Sequence, residues 1–279
     1  MYSRYFTIYP LLMQRLHLIN SKIILAPRGM LKGSAVQFKS SKKKLFLKAF
    51  RHLRLHRFIH FHATDKTEEQ DIQKYFGKVG VTLASNFPGM IKDYPGSIEK
   101  KANELSVIFI GRLHPVKNLD FLLKALQSVK GNVSLTIVGN AEDENYVNHC
   151  KRIVNSFPQN LQVHFAGEIP NNQLEKIITQ HHIFALPTQG ENFGHAIFEA
   201  LAAGKPVLIS DQTPWRNLCE AQAGWDLPLQ QPDGFTAALQ QAVLLGQDDY
   251  DSLSRGSWQF VRQFVQQSEL QTAYNNIFS

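Results

Sequence analysis

The chain has 279 residues, of which 43% are hydrophobic and 19% charged, with a formal net charge of +7 at pH 7. That length can bury a large core and suits two domains, and no apolar run approaches the roughly 20 residues that a bilayer-spanning helix needs. Cys150 and Cys219 stand far apart without ligand-type spacing. This argues against a disulfide framework or thiolate metal site and fits unreactive structural thiols in a reducing cytoplasm.

In chain order, residues 5–13 are apolar, but the stretch is short, contains Thr7 and lacks a small-residue cleavage site. It reads as part of the fold rather than as a signal peptide. Three strands are predicted in the first hundred residues, at 21–26, 57–61 and 80–84. Between the first two, Lys39, Lys42, Lys43, Lys44, Lys48, Arg51, Arg54 and Arg57 alternate with Leu45, Phe46, Leu47, Phe50, Leu53 and Leu55. Such a segment could rest on an anionic membrane surface or be an ordinary solvated helix face. No nucleic-acid partner is expected, because no recognised motif accompanies the basic stripe and the remainder of the chain is acidic. Residues 1–101 hold 19 of the 30 Lys and Arg but only 6 of the 23 Asp and Glu. His60 and His62 share one face of the second strand, but no third ligand lies nearby in sequence, so no metal site is expected.

The organisation changes near Asn103. Runs beginning at Val107, Val133, Val163, Ile183, Pro206 and Gly224 alternate with helical patterns, which predicts a doubly wound parallel sheet. The run from Val107 to Ile110 ends in GRLHPVKN, and Leu119, Leu122, Leu123 and Leu126 then repeat at helical spacing. The loop carrying Arg112 and Lys117 therefore lies at a strand's carboxyl end, where open α/β sheets bind ligands. Arg112 offers a planar fork to phosphate oxygens and Lys117 a compact charge, so the two could neutralise a diphosphate without a metal.

Further on, GENFGHAIFEALAAG sets Glu191 and Glu199 on either side of a predicted helix start near Gly194. The first turn could present N–H groups to phosphate. Glu199, about 7 Å deeper, could accept from two vicinal ribose hydroxyls, while Glu191 could reach a second sugar. Separately, two glutamates at a helix start can be a solvated cap, and an Arg and a Lys can simply solubilise a loop. Together at one end of a parallel sheet they point to a phosphorylated sugar ligand. His195 could donate to that ligand or cap and pack the turn; Trp215 could close a cleft or lie buried beneath the loop. No Asp-x-Asp pair occurs anywhere in the chain. The stretch 250–278 reads as two helical pieces with Phe260, Val261, Phe264 and Val265 turned inward.

These segments resemble glycosyltransferase family 4, whose retaining, metal-independent members have the GT-B fold. The resemblance rests on GRLHPVKN, ENFGHAIFE and the following AAGKPVLIS. It extends to ILAPRGML, FHATDKTEEQDI, LASNFPG and SDQTPW, which are similar to segments of bacterial members that build surface polysaccharides. It implies an α/β architecture with a partial N-terminal acceptor-side domain at 1–103. A complete donor-binding domain would follow at 104–279, its last helix packing back on the first domain. By the same resemblance Arg112 and Lys117 bind the donor diphosphate and Glu199 the ribose. Glu191, with the backbone of Phe193 and Gly194, holds the transferred sugar, and His62 could contact the acceptor.

The function expected is hexosyl transfer from a nucleotide sugar, such as a UDP- or GDP-hexose, to a cell-envelope glycan or lipid-linked acceptor. No cofactor or metal is expected, and the setting is cytoplasmic, at the inner face of the cell membrane if the basic segment meets lipid. The alternative is a non-catalytic donor-binding module that requires a partner chain or a further N-terminal segment, since three predicted strands are few for a complete sheet. No general base can be assigned from the residues.

Overall fold

A computed structural model describes residues 3–31, 40–84 and 91–267. Lys39, the side chain of Lys42, residues 85–89 of LASNFPG and the final helical piece beyond 267 lie outside the described residues. The chain divides into two compact units.

The first unit holds β1 (Ile23–Leu25), β2 (Ile59–Ala63) and β3 (Val81–Leu83), parallel and in that spatial order, with Ile23 opposite Ile59 and Phe61 opposite Val81. Each lies on or beside a predicted run. Helix α1 (Tyr9–Arg15) follows a π-helical turn, and α2 (Ser40–His52) and α3 (Lys66–Phe76) complete the unit. Leu11, Leu47, Phe50, Phe61, Ile72 and Phe76 fill its core. Each such side chain contributes about 1.5–3 kcal/mol by leaving water. Helix α2 turns Leu47 and Phe50 inward and leaves Lys44, Leu45, Lys48 and Arg51 exposed.

Two of the family-like segments meet at one buried carboxylate. Glu68 accepts from the Gly29 N–H at 2.6 Å, the Thr64 N–H at 2.8 Å and the Thr64 hydroxyl at 2.7 Å, while Asp65 caps α3 through the Glu68 N–H. Three donors on one carboxylate offset the cost of burying it. His60 and His62 are held by neighbours on and after β3, His60 by the Thr82 hydroxyl and buried His62 by the Ala84 carbonyl, both at 2.7 Å.

The second unit is a six-stranded parallel sheet: β4 (Glu104–Ile110), β5 (Asn132–Val138), β6 (Leu161–Gly167), β7 (Ile183–Leu186), β8 (Val207–Ser210) and β9 (Gly224–Leu227). Their order is β6-β5-β4-β7-β8-β9. All six coincide with the predicted runs; β7 and β8, buried on both faces, are continuous apolar stretches, while β5 alternates buried and exposed residues and β6 is only partly buried. Helices α4 (Leu119–Leu126), α5 (Glu144–Val154) and α8 (Pro232–Leu244) pack together, as do α7 (His195–Ala202) and α9 (Gln247–Gln267); α6 (Asn171–Ile178) lies beside α7. The core runs through both layers.

Compactness places the approach to β4 with this second unit, ahead of the division expected near Asn103. The reason is local bonding. The buried Lys100 ammonium donates to the carbonyls of Lys101, Val243 and Leu245, two of them at the end of α8, and Tyr94 donates to Ser254 at 2.9 Å. Burial lowers the Lys100 pKa. Of the two thiols, Cys150 is buried and pushed up to about 11 by burial and by the Asp120 carboxylate. Cys219 is exposed, which corrects the expectation of two inert structural thiols.

Gly139, just after β5, has φ +150°, and a Cβ there would stand 1.9 Å from the Gly111 carbonyl at the end of β4. Only glycine lets these two backbones approach so closely. Gly139→Ala should destabilise the protein by about 2–4 kcal/mol through strain and overpacking, lowering Tm by roughly 5–10 °C. Calorimetry with an unchanged Tm would show that the two loops are not locked in this way.

Candidate functional site

Strand order reverses at β4 and β7, so the loops that follow these two strands open side by side at one end of the sheet. The loop after β4 runs through Arg112 into a 3-10 turn, Pro115–Lys117, in which His114 Nδ1 accepts from the Val116 N–H at 3.2 Å. Asn118 takes a left-handed conformation, φ 60°, and starts α4. The loop after β7 is stitched to it: the Gln189 N–H donates to the Val116 carbonyl at 2.8 Å, and the Thr188 hydroxyl donates to the same oxygen at 3.1 Å. From the other side, the Ser210 hydroxyl donates to the Thr188 carbonyl at 2.5 Å, and the Glu191 N–H to the Gln212 carbonyl at 3.1 Å.

These bonds bring Lys117 and Glu191 into direct ion-pair contact, with side chains only 16% and 14% exposed. Screening by salt reaches such a pair poorly. Arg112 does not join it. One guanidinium nitrogen donates to both oxygens of Glu142, at 2.7 and 3.0 Å, and this pair is largely exposed. Glu142 follows β5, the neighbouring strand, and was not singled out from the sequence. The acidic run Glu142-Asp143-Glu144 at a strand's carboxyl end was the available signal.

Gly194, φ 79°, turns the chain into α7, and a Cβ there would press on Ile197 at 2.9 Å. The buried Trp215 indole donates to the Phe193 carbonyl at 2.5 Å and packs against Phe193, Phe198, Phe260 and Phe264. Trp215 therefore supports the loop from beneath, and the Phe193 carbonyl expected to face the sugar is held by it. Phe193 is buried, and exposed His195, the first residue of α7, places its ring 4.8 Å from the Phe193 ring.

Glu199 lies one turn along α7, apart from Lys117 and Arg112. It lines a groove between α6 and α7 together with His195. Among the described residues it has no ion-pair partner; its residue is exposed at the groove wall, and partial loss of water on that side raises its pKa. A carboxylate there can accept from ligand hydroxyls in exchange for water.

The family model for glycosyl transferases group 1 matches residues 90–255, and the chain belongs to that family. It is 30% identical over 145 residues to phosphatidyl-myo-inositol mannosyltransferase of Mycobacterium leprae, covering 50% of this chain and 36% of that one. It is 31% identical over 139 residues to D-inositol 3-phosphate glycosyltransferase of Segniliparus rotundus, covering 47% and 30%. The alignments thus span about a third of these relatives. Among solved structures, HepE of Anabaena in complex with UDP and glucose gives a TM-score of 0.72 at 14% identity, covering 99% of this chain and 74% of HepE. WaaG, a glycosyltransferase involved in lipopolysaccharide biosynthesis, gives 0.68 at 14%, covering 97% and 80%. The fold is α/β of the GT-B glycosyltransferase kind, as expected.

The raised Glu199 pKa fixes the sign of a stability effect. The folded state binds the Glu199 proton more tightly than the unfolded state, so stability falls as pH rises from the ordinary carboxylate value through the raised one. Glu199→Gln should then be more heat-stable than the parent at pH 7, with the difference vanishing below about pH 4. Equal denaturation curves at both pH values would show that the groove wall does not desolvate this carboxylate.

Proposed function

We propose that the chain transfers a hexosyl group from a nucleotide sugar, a UDP- or GDP-hexose, to a glycan or lipid-linked acceptor of the cell envelope, as a retaining enzyme of the family 4 type that uses no metal. The observation that carries this reading is the Lys117–Glu191 pair at the reversal of the sheet, beside the start of α7. A donor diphosphate entering there competes with Glu191 for Lys117 and with Glu142 for Arg112. Once displaced, Glu191 is available to accept from hydroxyls of the transferred sugar, and Glu199 accepts from the ribose. As the glycosidic bond breaks, charge grows on the leaving diphosphate. Arg112, Lys117 and the α7 N-terminus, with the Gly194 and His195 backbone, stabilise that charge more strongly than the ground state.

The roles separate by mutation. Lys117→Ala should weaken nucleoside diphosphate binding by about 1.5–3 kcal/mol and leave the nucleoside almost unaffected, as expected for a charge-assisted phosphate contact. Glu199→Gln should weaken ribonucleotides much more than their 2′-deoxy forms. Calorimetric titration decides; equal losses for nucleoside and diphosphate, or unchanged ribose discrimination, reject these assignments. Binding should also survive a chelator.

A peripheral position at an anionic membrane surface is supported by the first unit. Lys44, Lys48 and Arg51 project from α2 around exposed Leu45, and Tyr5, Phe6, Leu16 and Leu18 are exposed at and near α1. Cations near an anionic surface contribute about 1 kcal/mol each, and apolar side chains add burial. Acidic vesicles should retain the protein at low salt and release it as ionic strength rises, whereas equal retention by neutral vesicles, or none by either, returns α2 to a solvated face.

A further inference from the structure

The groove that holds Glu199 continues past it. Its volume is about 250 Å³, and it runs between one face of α6, with Asn171, Glu175 and Thr179 at successive turns, and one face of α7. Residues 92–95 lie across it. Pro95, Phe198, Ala202 and Ala203 give it an apolar floor, and Lys92 and Glu175 stand at its rim. The Lys92 ammonium donates to both Glu175 oxygens, at 2.8 and 2.7 Å.

His195 at the head of α7 and Glu199 one turn on line one side of the groove, and the largely exposed Lys92–Glu175 pair lines it from residues 92–95 and α6. A nucleoside diphosphate whose ribose meets Glu199 would set its planar base against that pair. We propose that this part of the groove is a nucleobase subsite and that Lys92 and Glu175 make it select guanine. This rests on the donor-site reading above, in that it takes Glu199 as the ribose contact.

Edge chemistry supplies the selection. Guanine shows an acceptor, O6, beside two parallel donors, N1–H and N2–H. A lysine next to a carboxylate offers the complement: the ammonium donates to O6, and the two carboxylate oxygens accept from N1–H and N2–H. Uracil shows acceptor, donor, acceptor. With its O4 on Lys92 and its N3–H on one Glu175 oxygen, its O2 opposes the other carboxylate oxygen, so one bond becomes a repulsion. Adenine sets N6–H against Lys92 and N1 against Glu175, and cytosine sets N4–H against Lys92 and N3 and O2 against Glu175, so neither matches in this register. The base plane lies on Phe198 and Pro95 in every case, so stacking does not discriminate. The solved neighbours that carry UDP share only 14–16% identity with this chain and do not set its base.

The test is calorimetric titration of the whole chain with GDP, ADP, CDP and UDP, repeated for Glu175→Gln, Lys92→Ala and Lys117→Ala. The parent should bind GDP about tenfold or more tightly than UDP, the step expected of one gained charge-assisted bond. Glu175→Gln should remove most of that preference, since its amide N–H opposes a guanine donor and can meet uracil O2, whereas Lys92→Ala, which loses O6 and O4 alike, should weaken GDP and UDP together. UDP affinity equal to or above that of GDP overturns the proposal, as does a GDP preference that Glu175→Gln leaves intact. If no nucleotide binds the parent, this subsite and the donor site both fail. Lys117→Ala distinguishes the two readings: a GDP preference that depends on Glu175 while Lys117→Ala costs nothing keeps the base subsite and rejects the diphosphate placement.

Discussion

The site depends on one constraint, the parallel pairing of β4 with β7 at the middle of the second sheet. Successive strands run outward from β4 to β5 and β6, and the chain then crosses back to place β7 on the other side of β4. The loops leaving β4 and β7 must diverge to opposite faces of the sheet, and the gap between them is the crevice. Lys117 and Glu191 lie 74 positions apart in sequence. They meet only because that pairing fixes both loops at one height above the strands.

What stands behind the crevice determines how well it keeps its shape. Val116 is clamped by Thr188 and Gln189, Thr188 by Ser210, and the Phe193 carbonyl by the Trp215 indole. Trp215 in turn rests on Phe260 and Phe264 of α9. The polar groups that would face a ligand are thus carried on backbone whose other bonds are already made, so little ordering cost remains when a ligand enters. The backbone turn at Gly194 belongs to the same arrangement, since a side chain there would press on Ile197.

Much of this was legible in the residues. Strands buried on both faces need unbroken apolar runs, so β7 and β8 stand out by composition, whereas β5 alternates buried with exposed residues and β6 is mostly half-buried or exposed, so both are marked by their β-formers alone. The candidate ligand contacts were legible for a different reason: Arg112, Lys117, Glu191 and Glu199 fall at the carboxyl ends of predicted strands or in the helix that follows. Partners were not legible. Glu142 reaches Arg112 from another loop, and its acidic run marks a charged loop without naming Arg112 as its partner. Nothing in the sequence marks Lys100, yet its ammonium caps α8 from within, and that contact draws the approach to β4 into the second unit. Trp215 could be placed near the loop, but its position under the loop follows from α9, more than 40 residues later.

The two ion pairs differ in burial, which bears on the donor-site reading proposed above. A largely buried ammonium such as Lys117 loses hydration and requires a compensating charge, which Glu191 supplies. Arg112 keeps most of its hydration and binds Glu142 only as an exposed pair, worth at most about 1 kcal/mol. A single carboxylate or monophosphate gains little by exchanging with Glu191, because it replaces one buried anion with another. A diphosphate bears more charge and can bridge Lys117 and Arg112 together, displacing the tight pair and the loose one in a single event. On that reading, the unequal burial of the two pairs would favour ligands that reach both cations and would free the Glu191 carboxylate when one binds.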